Sequence, residues 1–194
     1  MGIASNSWAN TLSEGFLKIA SGVDISQLKL ELKRHPDIWD RNTARKDHPD
    51  SPHRQMKDIW VRYSATPELH GPHISEWYDE SYQIPSVRKI ALQLMSFVEG
   101  EQLGGILITR LPPGGRIEPH TDKGWHAEFY EKYYIPVHNK EGAKFCFGDG
   151  EINPEEGDVY WFDNSLTHWV ENNSTEDRIA MIVCIHSHRY EDRV

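Results

Sequence analysis

The apolar positions of this chain follow two rhythms. Between residues 84 and 98 they recur every three or four residues, at Ile84, Val87, Ile90, Ala91, Leu94, Phe97 and Val98, the spacing of one helix face. Pro85 falls in the first turn, where its missing N–H costs nothing, and Glu99-Gly100 closes the helix. The pattern therefore predicts a central helix laid on one side of a sheet. Upstream the rhythm is weaker. Short helices are expected over 11–19 and 26–33, the second capped by Asp24 or Ser26, with Ile25, Leu28, Leu30 and Leu32 as a partial apolar face. Residues 58–64 alternate as a strand, with Ile59, Val61 and Tyr63 on one face and Trp60, Arg62 and Ser64 on the other.

After Gln102 the period becomes two. Strands are predicted over 105–111, within a tyrosine-rich stretch at 125–137, and over 143–147, 158–162, 168–170 and 178–186. Pro112-Pro-Gly-Gly115, Asn139-Lys-Glu-Gly142, Gly148-Asp-Gly150 and the proline-bearing 151–157 supply the turns. Many short strands with such punctuation predict a mainly β fold with an N-terminal and one central helix. The same punctuation suggests that its core is a double-sheet barrel or sandwich such as a jelly roll. The expected organisation is one domain over 1–194: a mixed helical and loop cover with one strand over 1–100, and the jelly-roll core over 103–188. The stretch 35–52, dense in charge and proline, is an irregular connection, either a solvated loop or a flap near a pocket. A second loop spans 66–82.

Composition narrows the partners. Over 194 residues there are 21 Lys and Arg against 30 Asp and Glu, a net charge of −9, with no basic run, so a nucleic-acid partner is not expected. No apolar run approaches the ~20 residues that span a bilayer, and the N-terminus has neither a basic leader nor an apolar segment. A membrane partner is thus not expected, and the expected location is cytoplasmic. The only cysteines, Cys146 and Cys184, lie inside apolar alternating runs and read as reduced, buried thiols. Eleven histidines and seven tryptophans suit a polar and aromatic pocket.

Chemistry concentrates between Thr109 and Arg178. His120 and Asp122 are two apart, so on an extended segment both side chains leave one face and reach one metal. His168 is the best third ligand. Two imidazoles and one carboxylate form a facial triad that suits iron(II) and leaves coordination positions open, whereas a closed zinc site would recruit a fourth ligand. Arg178 follows His168 by ten residues, with the turn-forming 171–177 between them. A hairpin centred on Asn173 would make His168 and Arg178 cross-strand partners, ~5 Å apart at Cβ. A guanidinium there grips a carboxylate through two hydrogen bonds, as a dicarboxylic co-substrate requires. Taken singly, each residue has an ordinary structural explanation; the order and spacing of the set carry the reading.

These residues resemble the aspartyl/asparaginyl β-hydroxylase family of Fe(II)- and 2-oxoglutarate-dependent dioxygenases, which includes bacterial free-proline hydroxylases. The resemblance covers roughly 103–188: TRLPPGGRIEPHTD, KEGAKF and EGDVYWFDNSLTHWVENNSTEDRIAMIVCIHS. Gly157, Asp158, Phe162, Asp163, Ser165, His168 and Arg178 follow the family pattern in order. It implies a double-stranded β-helix, the cupin-like jelly roll, with Fe(II) held by His120 and His168 and 2-oxoglutarate paired to Arg178. Thr109 falls where the family places a hydroxyl on 2-oxoglutarate. Many aspartyl hydroxylases have glycine where this chain keeps Asp122, which is closer to members with the full triad, including those acting on free amino acids. The family places a basic residue on the strand after the first histidine; Glu131-Lys132-Tyr133-Tyr134 occupies that region here, so either Lys132 substitutes for it or the contact is lost.

The implied reaction hydroxylates an unactivated carbon of an amino acid, or of an aspartyl or asparaginyl side chain, with molecular oxygen, releasing succinate and CO2. The substrate is therefore a small molecule or a peptide. Substrate contacts are expected from the two loops and from Arg62, Arg116, Trp125 or Tyr134. Asp163 and Ser165 are expected as turn formers. Two other readings stay open: a cupin-like metal dioxygenase or isomerase that does not use 2-oxoglutarate, and a non-catalytic β-sandwich binding module.

Overall fold

A computed structural model describes residues 10–13, 15–47, 49–66, 71–148 and 150–187. Residues 1–9 and 14 of the N-terminal stretch read for targeting, residues 67–70 of the second loop, and His188 lie outside the described residues. In chain order the elements are β1 (Asn10–Ser13), β2 (Phe16–Ala20), α1 (Ser26–Arg34), β3 (Lys57–Ser64), β4 (Ser75–Trp77), α2 (Glu80–Gln83), α3 (Ser86–Phe97), β5 (Gln102–Leu111) and β6 (Arg116–His120). Then come α4 (Trp125–Phe129), β7 (Glu131–His138), β8 (Ala143–Phe147), β9 (Gly150–Ile152), β10 (Val159–Phe162), β11 (His168–Asn172) and β12 (Arg178–His186).

The strands form two antiparallel sheets, a large one ordered β1-β2-β10-β7-β12-β5-β3-β4 and a small one ordered β6-β11-β8-β9. From β5 onward the chain crosses between them: β5, β7, β10 and β12 enter the large sheet, and β6, β8, β9 and β11 the small one. This winding is the jelly roll that the turn spacing predicts. The hairpin β1-β2 and the pair β3-β4 extend the large sheet at its two edges.

Period-two alternation gives the large sheet two buried faces. One turns Leu111, Tyr134, Tyr160, Phe162 and Ala180 toward Ile117, Phe145, Phe147 and Val170 of the small sheet. The other packs Ile106, Ile108, Ile135, Val137, Met181 and Val183 against Leu28 and Leu32 of α1 and Val87, Ile90 and Leu94 of α3. Each such side chain, fully buried, contributes about 1.5–3 kcal/mol, so both faces are firmly held.

The N-terminal expectation fails. Residues 11–13 and 16–19 pair as antiparallel strands instead of forming a helix, because Gly15 turns the chain at φ +79 and the apolar residues of β2 must serve opposite faces. Phe16 faces between the sheets while Leu17 faces the helices. With β3 and β4, the first hundred residues hold four strands among those described, where one was expected. Helix α1 appears where predicted, but no side chain caps it; Asp24 only accepts the Ser26 N–H at 3.0 Å, and Leu30 is exposed. Helix α3 matches its pattern, and Gly100 N–H closes it by donating to Met95 O at 2.8 Å. Residues 125–137 are a short helix before a strand, since Gly124 at φ +89 redirects the chain. In β3 the register shifts around Val61, so Tyr63 joins Trp60, ring centroids 5.0 Å apart, and not Ile59 and Val61.

The 35–52 connection is anchored at several points. Pro36–Ile38 is a 3-10 turn. Ser51 Oγ donates to Arg45 O at 2.6 Å. Glu118 N–H donates to Pro52 O at 3.3 Å and Arg116 N–H to Gln55 Oε1 at 2.9 Å, so this segment shields the outer edge of β6. Both cysteines are buried and free. Among the described residues, no helix is long and apolar enough to cross a membrane.

Candidate metal centre and interior pocket

The antiparallel pairing of β6 with β11 sets His120, the last residue of one strand, opposite His168, the first of the other. Their rings lie 4.5 Å apart. Asp122 was expected on the same extended face as His120, but the strand has ended by then. The loop instead delivers its carboxylate: Asp122 N–H donates to Asn164 O at 2.9 Å, and the Asn164 amide donates to Ala127 O at 3.0 Å. Asp122 Oδ1 lies 3.9 Å from His120 Nε2 and Oδ2 lies 3.7 Å from His168 Nε2. One ligand atom from each residue falls within 4.8 Å of the others.

Protonation favours the same outcome. His120 Nδ1 contacts Glu118 O at 2.7 Å, and His168 Nδ1 contacts Leu166 O at 2.9 Å. A carbonyl only accepts, so each Nδ1 carries the proton and each Nε2 turns a lone pair inward. Burial lowers both imidazoles below the ordinary histidine range, outweighing their carbonyl and Asp122 contacts. Burial alone would raise the Asp122 carboxyl, but its ion pair with Lys132, helped by the two histidines, brings it below the usual value. Two neutral imidazoles and a carboxylate converge at neutral pH, a donor set that fits a divalent iron with open positions.

The hairpin expected between His168 and Arg178 does not form. Strand β11 pairs with β6 and β8, and β12 pairs with β5 and β7, so the two residues lie on different sheets. The turn-forming residues knit a crossover instead, in which the Asn172 amide donates to Leu111 O and to Glu176 O, each at 2.9 Å. Arg178 nevertheless enters the barrel. It pairs with Leu111, is 2% exposed, and stacks its guanidinium over the Tyr134 ring at 5.1 Å. Its Nε and the Tyr134 hydroxyl are buried without hydrogen-bond partners, which is costly unless a ligand supplies them. Thr109, opposite Ala180 and 5% exposed, shares that inner face. Lys132, also inward on β7, stands nearer the triad, opposite Cys184.

The expected substrate contacts fare unevenly. Arg62 donates to Leu103 O and lies over Trp77, away from the triad, because the β3 register shift redirects it. Arg116 is 44% exposed and pairs with Glu118 and Glu171 on the outside of the small sheet. Tyr134 is fully buried beneath Arg178, so it belongs to the deep pocket and not to an open cleft. Trp125 begins α4, three residues after Asp122, in an aromatic group with His73 at 5.2 Å. Asp163 is the expected turn former, accepting from Ser165 N–H at 2.9 Å. Asp158 joins strands, pairing with Lys18 at 2.6 Å.

Sequence reasoning passed over Arg45, Asp58, His53 and Asn164. The His53 ring meets the His120 ring edge-on at 4.9 Å. Asp58, fully buried on β3, binds Arg45 through Nε at 2.8 Å and Nη2 at 3.3 Å. The one available signal was an aspartate at an inward-facing position of an alternating strand, which demands a cationic partner.

A jelly roll that gathers an inward His-Asp-His donor set at one end and a buried arginine farther inside has the architecture of a metal-binding β-barrel protein. The sequence profile described as Aspartyl/Asparaginyl beta-hydroxylase matches residues 31–187, and the chain belongs to that family. Membership places it among the Fe(II)- and 2-oxoglutarate-dependent hydroxylases. No curated protein matches the chain significantly in sequence. Among solved structures, the viral collagen prolyl hydroxylase vCPH of Paramecium Bursaria Chlorella virus-1, a 2OG complex, is similar with TM-score 0.57 and 11% identity, covering 92% of this chain and 99% of that one. HygX of Streptomyces hygroscopicus, with nickel and 2-oxoglutarate bound, gives 0.56 and 14% over 90% and 83%. A Pseudomonas putida prolyl-4-hydroxylase gives 0.50 and 12% over 90% and 93%. At such identities the likeness is one of fold.

Proposed function

We propose that His120, Asp122 and His168 hold iron(II), that Arg178 anchors 2-oxoglutarate, and that the enzyme hydroxylates a carbon of an amino acid or of an aspartyl or asparaginyl side chain in a peptide. The observation that carries this is the convergence of two inward Nε2 lone pairs and one carboxylate within 4.8 Å. When bound, iron with 2-oxoglutarate and molecular oxygen supplies the oxidising power that converts a substrate C–H to C–OH, with release of succinate and CO2.

The chain's own residues orient and protect. The two backbone carbonyls at Glu118 and Leu166 keep the imidazoles in the ligating tautomer. Arg178 offers its unpaired Nε edge to the distal carboxylate of the co-substrate, and Thr109 offers a hydroxyl on the same inner face. Lys132, ion-paired to Asp122, supplies a cation at the metal end, so Lys132 and Arg178 bracket a dicarboxylate. The aromatic wall of Phe145, Phe147, Tyr160 and Phe162 excludes water from that space.

Metal analysis tests the ligand assignment. Wild type takes up about one iron or manganese per chain, and Asp122→Ala and His168→Ala lose it while keeping their thermal unfolding profile. Unchanged metal content in both variants refutes the assignment.

A further inference from the structure

Asp58 is difficult to explain as a source of stability. It is fully buried, and β3 sets it opposite Thr109, on the face that Leu111 and Ala180 turn toward the small sheet. A buried ion pair rarely gains more than a well-packed apolar pair of the same volume would. What the pair does achieve is direction. Asp58 takes Nε and Nη2 of Arg45 at 2.8 and 3.3 Å, and Arg45 Nη2 also lies 3.8 Å from Met56 Sδ, a member of the inner core. Two points of contact fix the plane of the guanidinium. Its Nη1 is left without a partner among the described residues, and the side chain remains 22% exposed. That free nitrogen can donate a charge-assisted hydrogen bond to an oxygen of one carboxylate.

The segment that carries Arg45 is tied to the metal strand. Arg45 O accepts from Ser51 Oγ, and Ser51 Oγ accepts from His53 N–H at 3.2 Å. The His53 ring then meets His120, while Pro52 O accepts from Glu118 N–H. The charge of Arg45 is correspondingly felt at His53 and His120, and at Cys184 beside Lys132. Arg178, almost without exposure, suits a co-substrate enclosed by the barrel; Arg45 is reachable from outside. Arg62 and Arg116, the other arginines with a claim to this task, are committed elsewhere.

We propose that Arg45 docks a carboxylate of the primary substrate beside the metal, with Asp58 as the positioning residue that aims it. The proposal rests on the iron and 2-oxoglutarate reading above, and it assigns the co-substrate to Arg178 and the substrate carboxylate to Arg45.

The experiment is a two-stage calorimetric titration of the manganese-loaded protein. 2-Oxoglutarate is added first. Matched pairs follow: free amino acids and their amides, N-acetyl amino acids and their amides, and short aspartyl and asparaginyl peptides. Two variants accompany wild type. Arg45→Lys keeps the charge but loses the fork. The double variant Arg45→Met with Asp58→Asn removes both charges and leaves no buried carboxylate unpaired; should it fail to fold, Arg45→Lys alone decides. In wild type at least one carboxylate member binds ~10-fold or more tighter than its amide, a difference of about 1.4 kcal/mol. Both variants erase that preference while their 2-oxoglutarate affinity stays within about threefold of wild type. Three results overturn the proposal: no carboxylate preference in wild type, a preference that survives in the variants, or a tenfold loss of 2-oxoglutarate affinity, which would give Arg45 to the co-substrate. A wild-type protein that takes no 2-oxoglutarate in the first stage instead overturns the underlying reading, and the proposal with it.

Discussion

Replacing Arg178 by methionine separates a ligand-binding role from a structural one. The guanidinium is 2% exposed, rests on the Tyr134 ring, and has no hydrogen bond at Nε. It is therefore already desolvated and held in place before any ligand arrives, so little ordering cost is charged to binding. Two hydrogen bonds from a cation to a carboxylate are worth about 1.5–3 kcal/mol each, or about 3–6 kcal/mol together. At 1.4 kcal/mol per factor of ten, the variant should bind 2-oxoglutarate at least ~100-fold more weakly. Stability moves differently. Methionine fills a similar volume and removes a buried, incompletely satisfied charge, so the ligand-free protein should unfold at the same temperature or slightly higher. The paired assay is thermal unfolding with and without 2-oxoglutarate on manganese-loaded protein, backed by calorimetry. Wild type should gain several degrees on adding the co-substrate, by mass action, and the variant almost nothing. A Kd within threefold of wild type, or a ligand-free variant that unfolds well below it, refutes the reasoning.

Other consequences are simpler to state. Burial pushes His126 down to about 3, so between pH 6.5 and 3 the folded chain holds fewer protons than the unfolded one. Its stability contribution is intact above pH 6.5 and is lost as pH falls below it, at roughly 1 kcal/mol per unit for this group. The urea midpoint of metal-free protein should accordingly drop between pH 7 and pH 5, and a rise would contradict the assignment. Gly157→Ala should destabilise by about 2 kcal/mol or more in urea unfolding, since the residue sits at φ +80 and a Cβ would meet Val23 O at 2.7 Å. An unchanged midpoint would show that the β9–β10 connection relaxes freely. Leu28→Ala on α1, fully buried against the outer face of the large sheet, should cost about 2–5 kcal/mol with metal content unaltered. A metal loss on that side of the sheet would mean that the helical layer shapes the site.

What could be read from sequence, and what could not, follows the range of the interactions. The strands after Gln102 were legible because each face is buried and alternation records it, as in the inner Leu111 and Ala180 and the outer Ile108 and Met181. The donor residues were legible because His120 and Asp122 are close in sequence and His168 begins a strand. Two routes to that geometry were misread. A turn-rich spacer reads alike whether it closes a hairpin or crosses between sheets, and only the jelly-roll winding puts β11 and β12 apart. Asp122 owes its position to Asn164, far along the chain, which no local spacing records. In the N-terminal hairpin, Phe16, Leu17, Ile19 and Ala20 satisfy both helical and strand periods over so short a run, and Gly15 was the discriminating residue. Arg45 lies in a segment without period, and its role depends on a long-range pair with Asp58.

The central claim is a reaction, and succinate release tests it most directly. Purified protein with iron(II), labelled 2-oxoglutarate and oxygen is screened against free amino acids and short acidic peptides, beside His168→Ala and Arg178→Met. The account predicts succinate formed in step with hydroxylated product for at least one substrate, abolished by His168→Ala and reduced at least ~100-fold in kcat/KM for 2-oxoglutarate by Arg178→Met. Absence of 2-oxoglutarate binding together with absence of succinate against every substrate, or turnover that survives His168→Ala, contradicts it.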